Sequence, residues 1–238
     1  MNANSTTRSL RRVVTVVAWP IAAMLTLGCE VTVSSPTDES TPETETAAPV
    51  EQVDRREMEK DERIAVDAVN AFWRKHFPET FDKTYRSPRV SGGYIGTNGP
   101  SCAGEPSVPY NAFYCQPGDF IAWDQNLMAS GYSQIGDAWV YLIIAHEWGH
   151  AIQARLNSDQ VSVQAELQAD CLAGAALQGA AADGHLKIEP GDNEELARTL
   201  TAVADDYPWT DVSDHGDAEQ RISAFNTGAS GGITACIT

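Results

Sequence analysis

Residues 137–156 read Asp-Ala-Trp-Val-Tyr-Leu-Ile-Ile-Ala-His-Glu-Trp-Gly-His-Ala-Ile-Gln-Ala-Arg-Leu. The stretch is apolar on nearly every side of a helix, which predicts a helix buried in a core. It also contains an H-E-x-x-H pattern at 146–150. Residues four apart share a face of a helix, so His146 and His150 can bind one metal ion. The stretch therefore predicts a buried helix that carries a zinc site.

Glu147 lies between these two histidines in the pattern. Zinc with three protein ligands keeps a fourth position for water and lowers the pKa of that water. A glutamate beside the ion can take the proton and pass it to a leaving amine. We therefore expect Glu147 to be a catalytic general base. The alternative is a buried helix with two hydrogen-bonded histidines and no metal.

The third zinc ligand is expected further along the chain. The longer zincin pattern, H-E-x-x-H-x-x-G-x-x-H, does not continue here, because Gln153 and Leu156 stand where it has glycine and histidine. Glu166 and Asp170 lie four residues apart in the next predicted helix, on one face. We expect Glu166 to bind zinc and Asp170 to accept a hydrogen bond from a ligating histidine. Solvation of both acids is the alternative.

The H-E-W-G-H helix and the E-L-Q-A-D-C segment at 166–171 resemble the bacterial neutral zinc metallopeptidases, a zincin family, over roughly residues 85–228. The chain is similar, more distantly, to the thermolysin-like gluzincins, whose E-x-x-x-D segment supplies a glutamate ligand and its aspartate partner. The resemblance implies one Zn²⁺ per chain and an α+β, zincin-like fold. That fold has a small N-terminal mixed sheet with an edge strand, an active-site helix and a helical C-terminal half.

The same resemblance implies residues that contact the substrate. Asn111-Ala112-Phe113 is similar to the gluzincin edge strand that pairs with substrate backbone, so Asn111 and Ala112 are candidate substrate-binding residues. His215 lies in a segment similar to one in the metallopeptidase family, and it is the candidate donor to the oxyanion of the reaction. Tyr207 and Arg221 are rivals for that role. A helix-capping surface histidine and, for Arg221, an ion pair with a helix acid are the alternatives.

The N-terminal residues have the plan of a secretory signal. Arg8, Arg11 and Arg12 precede a short apolar stretch that ends at Gly28, so residues 1–28 are a predicted signal peptide. Cys29 follows directly, as at a bacterial lipoprotein processing site, and we expect it to be lipidated. An ordinary signal peptide that happens to contain a cysteine is the alternative.

Residues 29–51 follow as an acidic, Thr- and Pro-rich stretch that contains no Lys or Arg, which predicts a disordered tether. The zincin-like domain is then expected at 52–238. The protein should be exported and lipid-anchored in the cell membrane, facing outside the cytoplasm.

The four remaining cysteines are expected to form disulfides in an exported protein. Three pairings are open. The most local one joins Cys102 to Cys115 and leaves Cys171 with Cys236. A cysteine zinc site is the rival use, but no C-x-x-C spacing supports it.

The charge narrows the class of partner. The 33 acidic against 16 basic residues and the net charge of −17 argue against nucleic acid and anionic membrane surfaces as main partners. A peptide or protein substrate is expected, with the membrane contacted through the lipid alone. Two alternatives stay open: a non-catalytic zinc lipoprotein that binds a partner, and a zinc hydrolase of non-peptide bonds.

Local patterns predict the remaining elements. A first helix over 52–77 is expected to stop at Pro78, and a hairpin is expected to join 111–115 to 120–123. Short strands and loops are predicted over 86–110. Further helices are predicted over 161–182, over 193–205, and from a capping box at Asp217 and Gln220 to a C-terminal glycine at Gly228.

Overall fold

A computed structural model describes residues 54–156, 162–205 and 215–237. The predicted signal peptide (1–28), the lipidation site Cys29, the tether to residue 51 and the candidate Tyr207 lie outside these ranges. Within the described ranges, no helix has both the length and the apolar character needed to cross a bilayer.

The described ranges form an α+β domain of six α-helices and three strands, which agrees with the predicted class and is compatible with a zincin-like domain. The elements in chain order are α1 (Arg55–Phe81), β1 (Arg89–Tyr94), β2 (Ala112–Cys115), β3 (Phe120–Asp124), α2 (Gln125–Gln134), α3 (Ala138–Arg155), α4 (Val163–Ala182), α5 (Asp192–Ala202), α6 (Ala218–Gly231) and a final 3-10 helix (Ile233–Cys236).

The sheet has the strand order β1-β3-β2. β3 is the central strand and is buried along its whole length, pairing in parallel with β1 and antiparallel with β2. The predicted hairpin between β2 and β3 is confirmed, with Ala112 opposite Trp123. β2 is therefore an edge strand, whose outer side faces no other strand of the described ranges.

The core forms around α3, the helix with the H-E-x-x-H pattern. Its apolar side chains are buried on most sides, including the fully buried Trp148, Leu142 and Ile144. α1 and α4 pack against α3, and α6 packs against α4. The predicted all-round burial of this helix is confirmed.

Three predicted helix ends are wrong. α5 ends at Ala202 and not at residue 205, where the Asp205 N–H donates to the Gly216 carbonyl outside the helix. Packing bears on the other two. α1 continues past the exposed Pro78 to Phe81, whose ring packs on that of Phe77 with 4.9 Å between centroids. α6 continues past Gly228 to Gly231. A Cβ at Gly228 would overlap the Cys171 carbonyl oxygen, so this glycine permits a close helix contact instead of a cap.

Helix α2 is absent from the sequence-based prediction. It begins directly after β3, and the Asp124 carboxylate caps it by accepting a hydrogen bond from the Asn126 N–H. Only Met128 and Gly131 of this helix are buried, so it has no clear apolar stripe for a periodicity argument to find.

Candidate metal centre

The three predicted ligands meet at one point between α3 and α4. His146 Nε2 lies 3.2 Å from one carboxylate oxygen of Glu166, and His150 Nε2 lies 3.4 Å from the other. The two Nε2 atoms are 3.1 Å apart. One candidate ligand atom from each of the three side chains lies within 4.8 Å of the others.

Close approach of the two helices makes this meeting feasible. A Cβ at Gly149 would lie 2.8 Å from the Ala169 carbonyl oxygen, so any side chain there would press on the backbone of α4. Ser162 caps α4 and places Glu166 in its first turn, with Asp170 one turn further on. The glycine inside H-E-W-G-H thus lets both acids reach the histidine face.

Asp170 lies against the first histidine, where a hydrogen-bond acceptor for its ring was expected. Its carboxylate is fully buried and lies 2.8 Å from His146 Nδ1. Burial favours the neutral carboxyl, but His146 and Arg221 outweigh burial and lower the pKa of Asp170. An ionised carboxylate only accepts, so His146 donates through Nδ1 and directs Nε2 at Glu166.

The chemistry of this donor set fits a cation. When each histidine carries its single proton on Nδ1, both Nε2 atoms and the Glu166 carboxylate are acceptors that face one another, which is unfavourable unless positive charge lies among them. Burial lowers the pKa of His146, but Asp170 and Glu166 raise it to about 10, so a proton supplies that charge in the metal-free protein. Two imidazoles and a carboxylate are also a typical ligand set for catalytic zinc.

Glu147 lies beside the ligands and against the sheet. It is 8% exposed, and burial raises the pKa of its carboxyl while the two histidines oppose that shift. The Tyr114 backbone, in edge strand β2, lies on the other side of this carboxyl and also lowers its pKa. This acid therefore adjoins both the ligand cluster and the strand expected to bind substrate.

Asn111 and Ala112 lie at the start of that edge strand. Ala112 is the first residue of β2, and both residues are half-buried. The Asn111 carbonyl accepts hydrogen bonds from the Asp124 N–H at 2.8 Å and the Tyr94 hydroxyl at 3.0 Å. The segment that enters β2 is thus held firmly from the inner side of the sheet.

His215 lies next to the proposed third ligand. Its Nδ1 is 3.4 Å from Glu166 Oε2, and 41% of its side chain is exposed. The backbone N–H groups of His215 and Gly216 donate to the Asp205 carboxylate at 3.0 and 2.8 Å. No sequence pattern predicts this role of Asp205, because its spacing from His215 matches no known motif.

Arg221 is held in a buried ion pair, the preferred alternative from the sequence. Its Nε and Nη2 donate to the two Asp170 oxygens at 2.8 and 2.9 Å, and its Nη1 donates to the Val203 carbonyl. Nη2 and His146 Nδ1 share the Asp170 Oδ1 atom and lie 3.5 Å apart, so the guanidinium holds the carboxylate that His146 contacts.

The predicted disulfide pairing is confirmed. Cys102 is bonded to Cys115, and Cys171 is bonded to Cys236. Cys171 directly follows Asp170, so the second bridge ties the helix of the acidic residues to the 3-10 helix at the C-terminal end of the described chain.

This fold and this cluster of two histidines with a glutamate are those expected of a zinc metallopeptidase family. Residues 6–238 match the family described as "Putative neutral zinc metallopeptidase", and the chain belongs to it. The resemblance seen in the sequence is thereby confirmed.

Two curated relatives are similar to the chain. Both are named "Uncharacterized protein YpfJ", from Escherichia coli strain K12 and from E. coli O6:H1 strain CFT073, and each is 29% identical over 187 residues. Each match covers 67% of this chain and 63% of the relative, so the chain spans less than two thirds of the relatives' length. No solved structure matches the chain.

Proposed function

We propose that this protein is a zinc-dependent peptidase, with His146, His150 and Glu166 as zinc ligands and Glu147 as the general base. The observation that carries the proposal is the convergence of three acceptor groups beside a buried carboxylate. Membership of a zinc metallopeptidase family supports peptide-bond chemistry in general terms.

Each side chain has a distinct part in the proposed reaction. Zinc held by the three ligands supplies Lewis acidity towards a water molecule and the scissile carbonyl. Glu147 accepts the proton of the attacking water and returns it to the leaving nitrogen. Burial raises the pKa of Glu147, which suits a group that both accepts and donates a proton near neutral pH.

The neighbouring elements bind and orient the substrate in this proposal. An extended peptide adds to the edge of β2 beside Ala112, with the adjoining Asn111 as the second candidate contact. His215, held in place by Asp205, donates a hydrogen bond to the oxyanion that develops on the carbonyl. Export and anchoring through a lipid on Cys29 belong to the same proposal and place the reaction outside the cytoplasm.

A mixed peptide library tests the proposed activity. The zinc-loaded protein is incubated with the library before and after chelation and after zinc is restored, and mass spectrometry identifies new peptide termini. We expect cleavage that chelator abolishes and zinc restores. One bound zinc without cleavage of any peptide would contradict the proposal and favour the non-catalytic or the non-peptide alternative.

A further inference from the structure

Gln153 lies one helical turn after His150 on α3. It stands where the longer zincin pattern has glycine, and its side chain is buried, with 5% of the residue exposed. A buried amide is costly unless both its oxygen and its nitrogen form hydrogen bonds. The hydrogen-bond partners of the Gln153 amide therefore show how its side chain is oriented.

Its neighbours fix which way the amide points. One side lies 2.6 Å from the Ala165 carbonyl oxygen, which can only accept, so the amide nitrogen faces Ala165. The amide oxygen then faces His150 Nδ1 at 2.9 Å. Since an amide oxygen cannot donate, His150 must carry a proton on Nδ1, which leaves Nε2 as the atom that faces the cluster.

We propose that Gln153 is a positioning residue for the second zinc ligand, fixing the tautomer and the ring orientation of His150 while it ties α3 to the first turn of α4. The inference rests on the proposed function, because it takes the cluster as the metal site. Ala165 adjoins Glu166, so one amide aligns two of the three ligands. Asp170 does the corresponding work for His146.

A neighbouring glutamine, Gln168, offers a control for variants of Gln153. The Gln153 amide nitrogen lies 3.1 Å from Gln168 Oε1, and Gln168 Nε2 donates to the Cys236 carbonyl at 3.0 Å. Gln168 thus contacts the same amide but no histidine of the site. Its loss should disturb the packing of this region without releasing His150.

Three variants separate positioning from packing. Gln153→Met keeps the length of the side chain and removes both hydrogen bonds, whereas Gln153→Glu keeps an acceptor for His150 Nδ1 and loses the donor to Ala165. Gln168→Met is the control. Zinc affinity is measured by chelator competition, and the midpoint of urea unfolding is measured on the metal-free proteins.

We expect Gln153→Met to lower zinc affinity by about 10–100-fold, the usual effect of removing a partner of a metal-ligating histidine. Gln153→Glu should restore affinity to within a few-fold of wild type, although both variants lose the Ala165 bond and unfold at lower urea. Gln168→Met should bind zinc as wild type does. Equal loss of zinc affinity in the two Gln153 variants, or unchanged affinity in Gln153→Met, would overturn the proposal.

A second measurement needs no variant. NMR of the zinc-loaded wild-type protein with ¹⁵N-labelled histidine should show the proton of His150 on Nδ1, and a proton on Nε2 would overturn the proposal. Neither readout uses peptide hydrolysis. A wild-type protein that binds zinc with this tautomer but cleaves no peptide would refute the proposed function alone.

Discussion

At the scale of single residues, the side chains of the site determine where each neighbouring side chain carries its proton. Asp170 and Glu166 lie on opposite ring nitrogens of His146, at 2.8 and 3.2 Å. Burial favours the neutral carboxyl of Glu166, but His146 and His215 lower its pKa, so the acid is ionised at neutral pH. The imidazole between the two carboxylates therefore holds two protons in the metal-free protein, one of them where zinc would bind.

Zinc binding should release that proton. The pKa of His146 in the metal-free protein is raised to about 10, so the group is protonated at pH 7 and must lose a proton to become a ligand. Calorimetric titration with zinc at pH 7, in buffers of different ionisation enthalpy, should report about one proton released per zinc. Affinity should accordingly rise as the pH is raised above 7. A binding enthalpy that is independent of the buffer would contradict this assignment.

Glu166 and Glu219 give a matched test of the third ligand. Glu219 is an exposed acid in the first turn of α6, whereas Glu166 lies against both histidines. Glu166→Ala should lose zinc during dialysis against a graded chelator at concentrations that leave Glu219→Ala loaded, because two imidazoles alone make a poor zinc site. If Glu219→Ala loses its metal and Glu166→Ala keeps it, the third ligand is wrongly assigned.

At the scale of elements, the site depends on how closely α4 approaches its neighbours. Gly149 lets the backbone of α3 meet that of α4, and Gly228 lets α6 meet α4 from the other side. The first contact brings Glu166 to the histidines, and the second brings Arg221 to Asp170. Small residues at both crossings therefore place the side chains that hold the proposed metal.

Gly149→Ala tests the first crossing. The added methyl group would lie 2.8 Å from the Ala169 carbonyl oxygen, so the two helices must separate. We expect the free energy of unfolding of the metal-free protein to fall by about 1–3 kcal/mol in urea titrations, with weaker zinc binding because the ligands move apart. Gln164→Ala, at an exposed position of α4, is the control and should change neither quantity. Wild-type zinc affinity in Gly149→Ala would show that the close contact is not needed.

The sequence predicts the elements whose patterns are local and misses what depends on packing. The all-round apolar stretch identifies α3, and the spacing of Glu166 from Asp170 places both acids on one face of α4. The end of α6 is predicted too early because, in the sequence, Gly228 cannot be told apart from a glycine that ends a helix, although it permits close contact between two helices. The pairing of Arg221 with Asp170 spans 51 residues, and no spacing rule predicts such a contact.

Gln153 is an intermediate case. It lies three residues after His150, on the same helix face, so its contact with the ring could have been inferred from spacing alone. Its second contact, with the Ala165 carbonyl, needs the fold. The sequence thus indicates that Gln153 is near the site but not that it connects two helices.

At the scale of the whole described domain, two disulfides secure the regions on either side of the site. Cys102–Cys115 joins the loop before the edge strand to the last residue of that strand, and Cys171–Cys236 fastens the C-terminal 3-10 helix to α4. The first bridge spans 13 residues and the second spans 65. Under the chain-entropy account, the longer loop should stabilise the fold more.

Paired Cys→Ser variants test which disulfide stabilises the fold more. Replacing Cys171 and Cys236 together should lower the free energy of unfolding by about 4 kcal/mol, against about 3 kcal/mol for Cys102 and Cys115. Urea titration of the metal-free proteins measures both values. A smaller loss for the longer loop would mean that local packing, and not chain entropy, decides the contribution of these bridges.

Hydrolysis and zinc content of Glu147→Gln, measured on one preparation beside the wild type, test the central claim most directly. Glutamine preserves the three ligands but cannot accept a proton, so both proteins should bind one zinc. Peptide cleavage by the variant should then fall by about 10²–10⁴-fold, the range for loss of a general base. Wild-type cleavage by a zinc-loaded Glu147→Gln would contradict the account, since the proposed base would then take no part in the reaction.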